Sequence, residues 1–344
     1  MPVTVADAPE MMKALSYSSY GGGAEGLKHV EMLIPKPKRD EILVKVEACS
    51  LNPIDWKVQK GFMKPVLPFR FPHVPGTDIS GVVVKVGSRV TTFVPGDRVV
   101  CCLGRAGGGL AQFAIAPTNT TIKRRQGVSP IEGDALGISA FAALQSVRNS
   151  AGIDIKLPNR SDKESKNLLI RAASGGVGTL AVQIAKLGGA HVTATCSPHN
   201  FRLLRSLGAD EVVEYKAESE KSRAAPERSP SGRKYDMVIN CGPHWPFCRY
   251  KAELAPSGFV IDLNPSPTGM MTSVVHAITR SKQKYFSFMH IPNSADMYLL
   301  CNLLHVKKLR TVIDSTYPLA QAQAGWARCM EGHAVGKIVI TFTC

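Results

Sequence analysis

The run Leu168-Leu-Ile-Arg-Ala-Ala-Ser-Gly-Gly-Val-Gly-Thr-Leu-Ala-Val-Gln-Ile-Ala-Lys186 passes from an apolar strand through a glycine-rich turn directly into an amphipathic helix. Few folds accommodate that order of elements. In the turn Ser174-Gly175-Gly176-Val177-Gly178, the first two glycines let the backbone bend and approach a pyrophosphate, and Gly178 permits close packing of helix on sheet. The helix N-terminus adds free N–H groups and the positive end of its dipole. A glycine-rich turn in this strand-and-helix setting predicts a dinucleotide site.

The surrounding pattern agrees. From about residue 134, short apolar strands alternate with helices: a strand Asn167–Ala172, a helix from about Gly178 to Leu187, a strand His191–Cys196 and a helix from about Asn200. Strands at Val212–Tyr215, Asp236–Asn240 and Gly258–Asp262 follow, at intervals suited to a Rossmann-type, doubly wound parallel sheet of the α/β class. Before about residue 130, β-type runs such as Ile42–Ala48, Gly81–Val86 and Arg98–Cys102 are punctuated by Pro, Gly and Asp, as in an all-β or barrel-like unit. After about residue 310 a strand, a helix around Leu319–Met330 and a strand Lys337–Thr343 are expected to rejoin that first unit. The expected division is 12–133 with 310–344, and 134–309. Gly152–Lys166 and Ala217–Lys234 read as polar surface loops, and Leu103–Gln112 and Pro265–Ile291 as loops that supply pocket walls.

The end of the second strand decides which dinucleotide fits. NAD-preferring sites place Asp or Glu there against the ribose hydroxyls. Here the chain reads Thr195-Cys-Ser-Pro-His-Asn-Phe-Arg202, with no carboxylate before Asp210. Ser197 and Asn200 are suited to hydrogen-bond a 2′-phosphate, and Arg202 to neutralise it, so NADPH is the expected cofactor.

Composition excludes several classes. The 344 residues are 44% apolar, enough for one large core or two moderate ones. No uncharged apolar run of membrane-spanning length occurs, and Met1 to Met12 reads as a loose leader without the pattern of a signal or transit peptide. Nine cysteines without a CxxC spacing point to reduced thiols in an intracellular compartment. The formal charge of +15 is spread over short groups such as Lys123–Arg125, Arg280–Lys284 and Lys307–Arg310, with no aromatic-rich basic motif, so nucleic acid is not the expected partner.

These segments, with Ser50-Leu-Asn-Pro-Ile-Asp-Trp-Lys57, Val74-Pro-Gly-Thr-Asp-Ile-Ser-Gly81, Pro95-Gly-Asp-Arg-Val99 and Gly336-Lys-Ile-Val-Ile340, closely resemble the medium-chain dehydrogenase/reductases over almost the whole chain. Within that superfamily the chain is similar to the zinc-independent quinone oxidoreductase-like branch. There it looks most like the plant chloroplast-envelope quinone oxidoreductase homologues, relatives of the alkenal/one oxidoreductases. The resemblance implies that the β-rich unit is a GroES-like catalytic barrel. It places Asn52 and Lys57 beside the nicotinamide and the substrate. It also assigns Tyr215 to the adenosine phosphate, Cys241 to the cofactor bridge, and Gly336 and Lys337 to the nicotinamide end.

Zinc-dependent members carry Cys and Gly-His-Glu as catalytic ligands. The corresponding places here read Ser50-Leu-Asn52 and Gly76-Thr-Asp78, and no four-cysteine cluster exists, so no metal is expected. Alcohol oxidation then lacks its electrophile, whereas conjugate reduction of an enone needs only modest donors for an enolate. The expected activity is NADPH-dependent reduction of the C=C bond of an enone, lipid-derived or a plant specialised metabolite. Quinone reduction is the alternative, and an NADPH-stabilised RNA-binding or structural protein of the zeta-crystallin type is an alternative of another class. The resemblance also implies a monomer or homodimer at the chloroplast envelope, held peripherally to anionic lipid by charge, with a cytoplasmic location as the alternative.

Overall fold

The computed structural model describes residues 10–62, 64, 70–104, 107–150, 153, 155, 165–214, 228–264, 266–279 and 281–342, the side chains of 149 and 150 excepted. The expected leader and the two polar surface loops lie largely outside them. In chain order the elements are β1 (Met11–Ser16), β2 (Lys28–Leu33), β3 (Glu41–Leu51), α1 (Pro53–Gln59), β4 (Asp78–Val86), β5 (Arg98–Cys102), β6 (Phe113–Pro117), β7 (Thr121–Lys123), α2 (Pro130–Asp134) and α3 (Gly137–Gln145). There follow β8 (Asn167–Arg171), α4 (Gly176–Leu187), β9 (His191–Cys196), α5 (Phe201–Ser206), β10 (Glu211–Glu214), β11 (Tyr235–Asn240), α6 (Cys248–Lys251) and β12 (Leu254–Asp262). The last are α7 (Pro267–Ile278), β13 (Lys284–Ser287), α8 (Ser294–His305), β14 (Ile313–Pro318), α9 (Ala322–Glu331) and β15 (Lys337–Thr341).

Two compact units result, one of residues 1–141 with 292–344 and the other of residues 142–291. The C-terminal segment thus rejoins the first unit, but the divisions differ from the expected 133/134 and 309/310. Two sets of contacts move them. Asp78 of β4 accepts the Ile138 N–H at 2.9 Å, which ties the start of α3 to the first unit. Helix α8, expected with the nucleotide-binding unit, is held by the chain after β7. Arg125 donates to Asn302 Oδ1 at 2.8 Å and lies over the Tyr298 ring at 4.8 Å, and His305 Nδ1 is 2.9 Å from the Gln126 carbonyl.

The first unit is built on a sheet of order β14-β15-β3-β4-β5-β7, with β6 pairing β3. Its long strand β3 alternates buried and more exposed positions around Lys45 and Glu47, so one face packs inward. On that face Val44 and Val46 join Leu15, Ile79 and Ile338 in one core, which helix α9 closes with Trp326. The indole is 1% exposed and donates to Gln59 Oε1 on α1 at 3.2 Å, so it joins the N- and C-terminal parts of the unit.

The second unit is a six-stranded, all-parallel sheet of order β10-β9-β8-β11-β12-β13. All five residues of β8 are buried, as a strand covered on both faces requires. The first three strands run outward from β8, and the order reverses to β11 on its other side. That switch point is where open α/β sheets bind ligands. Pro265–Ile291, read from the sequence as a loop, instead contains α7 and β13. Its clustered Ser, Thr and Pro mark the N-terminus of α7, where Ser266 caps the Gly269 N–H at 3.0 Å.

Trp326→Ala should lower the unfolding free energy by about 3–5 kcal/mol, because it empties the joint between the two chain segments of the first unit. Urea denaturation checks this, and a loss under about 1 kcal/mol would show that the C-terminal return is not held there.

Candidate functional site

In the second unit the turn after β8 has the geometry its glycines imply. Helix α4 starts at Gly176, with Gly175 in extended backbone before it. A Cβ on Gly178 would lie 2.5 Å from the Ala173 Cα, so only glycine allows this helix to pack so closely on the strand. A Cβ on Gly175 would meet nothing nearer than 3.6 Å, which leaves the turn open to a ligand. The first N–H groups of α4 have no acceptor within the helix. The residues therefore fit a pyrophosphate, with Ser174 in the turn before the helix and Val177 in the first turn of α4. The turn is braced on β9 by the Ala173 N–H to the Thr195 carbonyl at 2.8 Å.

At the end of β9, Ser197 opens a short 3-10 turn that leads into α5, and its carbonyl accepts the Asn200 N–H at 2.9 Å. Arg202 is exposed on α5, while Asn200 is only 7% exposed. The first acid beyond the strand, Asp210, is occupied. It takes Lys186 Nζ at 2.8 Å and the Val192 N–H at 2.7 Å, and these hold its carboxyl below the usual range. Cys241 follows β11, with its N–H 3.3 Å from the Arg171 carbonyl. Burial pushes its thiol up to about 12, against the pull of Arg171. Tyr215 lies outside the described residues.

In the first unit, Asn52 and Lys337 come together. Asn52 precedes α1 and is 2% exposed, and its N–H donates to the Asp55 carboxylate at 2.8 Å. Its Nδ2 donates to Asp78 Oδ2 at 2.8 Å and to Thr77 Oγ1 at 3.2 Å. Its Oδ1 accepts from Lys337 Nζ and from Ser139 Oγ at 3.3 Å. Lys337, 4% exposed, also donates to Ser139 Oγ at 3.2 Å and the Leu51 carbonyl at 3.3 Å. Gly336, at φ +89°, has a structural reason of its own, since a Cβ there would lie 2.1 Å from the Val312 carbonyl oxygen. Lys57 sits on α1, half-buried, with Nζ 5.8 Å from the centre of the Trp56 ring.

Asp78 and Asp134 are both fully buried, and Asp55 nearly so. Among the described residues, neither carboxyl oxygen of Asp134 nor the Oδ1 of Asp78 has a hydrogen bond of ordinary geometry, although the Ser50 hydroxyl and the Cys102 thiol lie near enough to favour the ionised forms. Burial pushes the Asp55 carboxyl up to about 7. It also raises Asp78, and raises Asp134 far above the usual carboxylate range, with Asp78 adding to the effect on Asp134. The Lys337 charge opposes all three shifts. One ammonium cannot balance three carboxylates away from water, so the cluster keeps protons. Sequence reading singled out Asn52, Lys337 and the Gly76-Thr-Asp78 position, but not Asp55, Asp134 or Ser139. Asp134 stands in an ordinary capped helix, with Ser129 and Glu132 bonded reciprocally, and its approach to Asp78 is purely tertiary.

Comparison with known proteins agrees with this geometry. Residues 38–126 match the family described as alcohol dehydrogenase GroES-like domain, and residues 207–340 match that described as zinc-binding dehydrogenase. The chain is 47% identical to the chloroplast envelope quinone oxidoreductase homolog of Arabidopsis thaliana, over 97% of this chain and 99% of that protein. It is a medium-chain dehydrogenase/reductase. The quinone-oxidoreductase homolog of Spinacia oleracea, named as chloroplastic, is also 47% identical with the same coverage. The structure of the quinone oxidoreductase from Coxiella burnetii superposes with a TM-score of 0.81 at 27% identity, over 96% of this chain and 99% of that one. This medium-chain reductase is thus an oxidoreductase of the quinone oxidoreductase type that uses NAD(P)H, with a GroES-like unit and a parallel nucleotide-binding sheet.

The zinc in the name of the second matching family finds no suitable ligands at the expected place. Asn52 offers an amide and Thr77 a hydroxyl, the Asp78 carboxyl is bonded to the Asn52 amide, and the Asp55 carboxyl takes the Asn52 N–H. The ammonium of Lys337 already bonds the Asn52 oxygen.

The raised carboxyls make a pH prediction with a definite sign. The folded state holds protons that the unfolded chain releases above its ordinary carboxyl range. Stability should therefore fall as pH rises from about 4 towards the folded value of about 7 for Asp55, and further for Asp134. Asp134→Asn removes one such penalty and leaves Asp78 as counter-charge to Lys337. It should raise the melting temperature by a few degrees at pH 8 and by less at pH 5. A lower melting temperature at pH 8 would show instead that Asp134 is held as an anion.

Proposed function

We propose that this protein is an NADPH-dependent reductase of the C=C bond of α,β-unsaturated ketones, lipid-derived or specialised plant metabolites. The observation that carries the reading is Lys337 bonded to Asn52 where zinc-dependent relatives keep ligands, because it replaces a Lewis acid by a fixed, buried cation. Without a metal, charge placed on a single carbonyl oxygen has no strong electrophile to meet it. Charge spread over an enolate needs only modest donors.

The cofactor supplies a hydride for the β-carbon. The α4 N-terminus and the open turn Ser174–Gly178 would hold its pyrophosphate, and Ser197 and Arg202 its 2′-phosphate, where the occupied Asp210 competes for no ribose hydroxyl. Lys57, half-buried beside Trp56, is suited to polarise the ketone oxygen as a point charge or to meet the cofactor ribose. Asn52, beside the nicotinamide and the substrate in this reading, also holds Lys337 and the start of α1 in place. Lys57→Ala should lower turnover or cofactor affinity and leave the fold intact. The names of the relatives support quinone reduction as the second reading and the chloroplast envelope as the location. Washing membranes at high salt should release a peripherally held protein.

Two measurements test the proposal. NADPH should bind at least about tenfold more tightly than NADH, and Arg202→Glu should remove the preference; equal affinities in the unmodified protein would sink the 2′-phosphate assignment. With NADPH deuterated at C4, the label should appear on the β-carbon of a saturated ketone, and activity should persist in a strong chelator. Label on a carbinol carbon with the alkene intact rejects enone reduction, and turnover of simple quinones alone leaves the second reading in its place.

A further inference from the structure

The C-terminal ends of β11 and β12 carry a second buried polar network, separate from the glycine turn, with Asp262 at its centre. Asp262 is fully buried and ends β12. Its Oδ1 accepts Asn240 Nδ2 at 3.1 Å and the Asn264 N–H at 2.9 Å. Its Oδ2 accepts the Tyr285 hydroxyl at 2.5 Å and His244 Nδ1 at 2.8 Å. Each carboxylate oxygen accepts about two hydrogen bonds, so every acceptor position is used. The four donors come from β11, the chain after β11, the chain after β12, and β13. Two further bonds close the arrangement: Asn264 Nδ2 to the Gly242 carbonyl at 2.7 Å and Asn240 Nδ2 to the Pro243 carbonyl at 3.1 Å. Asp262 therefore clasps the loop 241–245 to the loop 263–264, the two segments that leave the sheet on the β11–β12 side of the switch point.

The sheet order says what lies against these loops. With the pyrophosphate at the turn after β8 and the adenosine half towards β9, the other half of a dinucleotide extends over the ends of β11 and β12. From this we infer that Asp262 is the positioning residue for the nicotinamide half of the cofactor. It acts through the two loops and not by contact. This rests on the reading of the glycine turn as a dinucleotide site. An amide at the same place keeps the size but removes the charge, and its Nδ2 can meet Tyr285 and His244 only if the hydroxyl turns to accept and the imidazole changes tautomer. Asp262→Asn therefore weakens these two of the four ties, which lose their charge assistance.

The probes are NADPH, followed by the fluorescence of its nicotinamide, and adenosine 2′,5′-bisphosphate, which carries only the adenosine half. Asp262→Asn should weaken NADPH about tenfold, as expected when bonds to a buried charged group are lost, and leave the adenosine fragment within about twofold. Equal weakening of both probes makes Asp262 a general structural residue and overturns the inference, as does unchanged NADPH affinity. Where Asp262→Asn fails to fold, Asn264→Ala removes the single tie to Gly242. It should shift NADPH alone by about threefold, and no shift overturns the inference. Unmodified protein that binds neither probe overturns the cofactor assignment itself, and the clasp with it.

Discussion

A buried ammonium against a buried amide, Lys337 on Asn52, is the contact on which the first unit depends. It joins the last strand of the chain to the residue that precedes α1, and Ser139 and Asp78 join the same network. Desolvating a lysine is costly unless its charge and its three donors are met. Here the donors reach Asn52 Oδ1, Ser139 Oγ and the Leu51 carbonyl, and Asp78, bonded to the same Asn52 side chain, supplies the opposite charge. The Asn52 side chain is thus a place where β3, β4, α3 and β15 are pinned together.

The two buried acid networks of this protein solve the same problem in opposite ways. Asp262 has four donors and no empty acceptor position. Asp134 has no hydrogen bond of ordinary geometry to either oxygen among the described residues. A saturated carboxylate is a rigid tie, because moving any neighbour breaks a charge-assisted bond. An unsaturated one is stable only as the neutral acid, so it holds a proton instead of a loop. The difference places the structural anion at the ends of the parallel sheet and the protonated acid inside the β-rich unit.

Arg171 shows how such networks reach the core. It ends β8 fully buried, donates to Asn240 Oδ1 at 2.7 Å, and lies 3.4 Å from the centre of the Trp245 ring. A strand residue three positions before Ser174 is thereby tied to the end of β11, the strand that Cys241 follows. The stack neutralises part of the cost of burying a guanidinium.

The sequence by itself determined the fold class, the parallel sheet, the glycine turn between β8 and α4 and the return of the C-terminal segment, because each is written in local pattern. Gly178 must be glycine where a helix touches a strand, and an apolar five-residue run such as β8 must be covered on both faces. The lack of an acid before Asp210 and of zinc-type residues around Asn52 and Asp78 was likewise legible residue by residue. Only the tertiary structure decided that Lys337 bonds Asn52, that Asp134 meets Asp78, and that α8 belongs with Arg125. The same holds for Asp262, where donors from separate strands and loops converge. These are pairings of residues up to 285 positions apart. Periodicity and motif spacing report which face of an element is buried, whereas the identity of a buried group's partner is fixed only when distant segments pack.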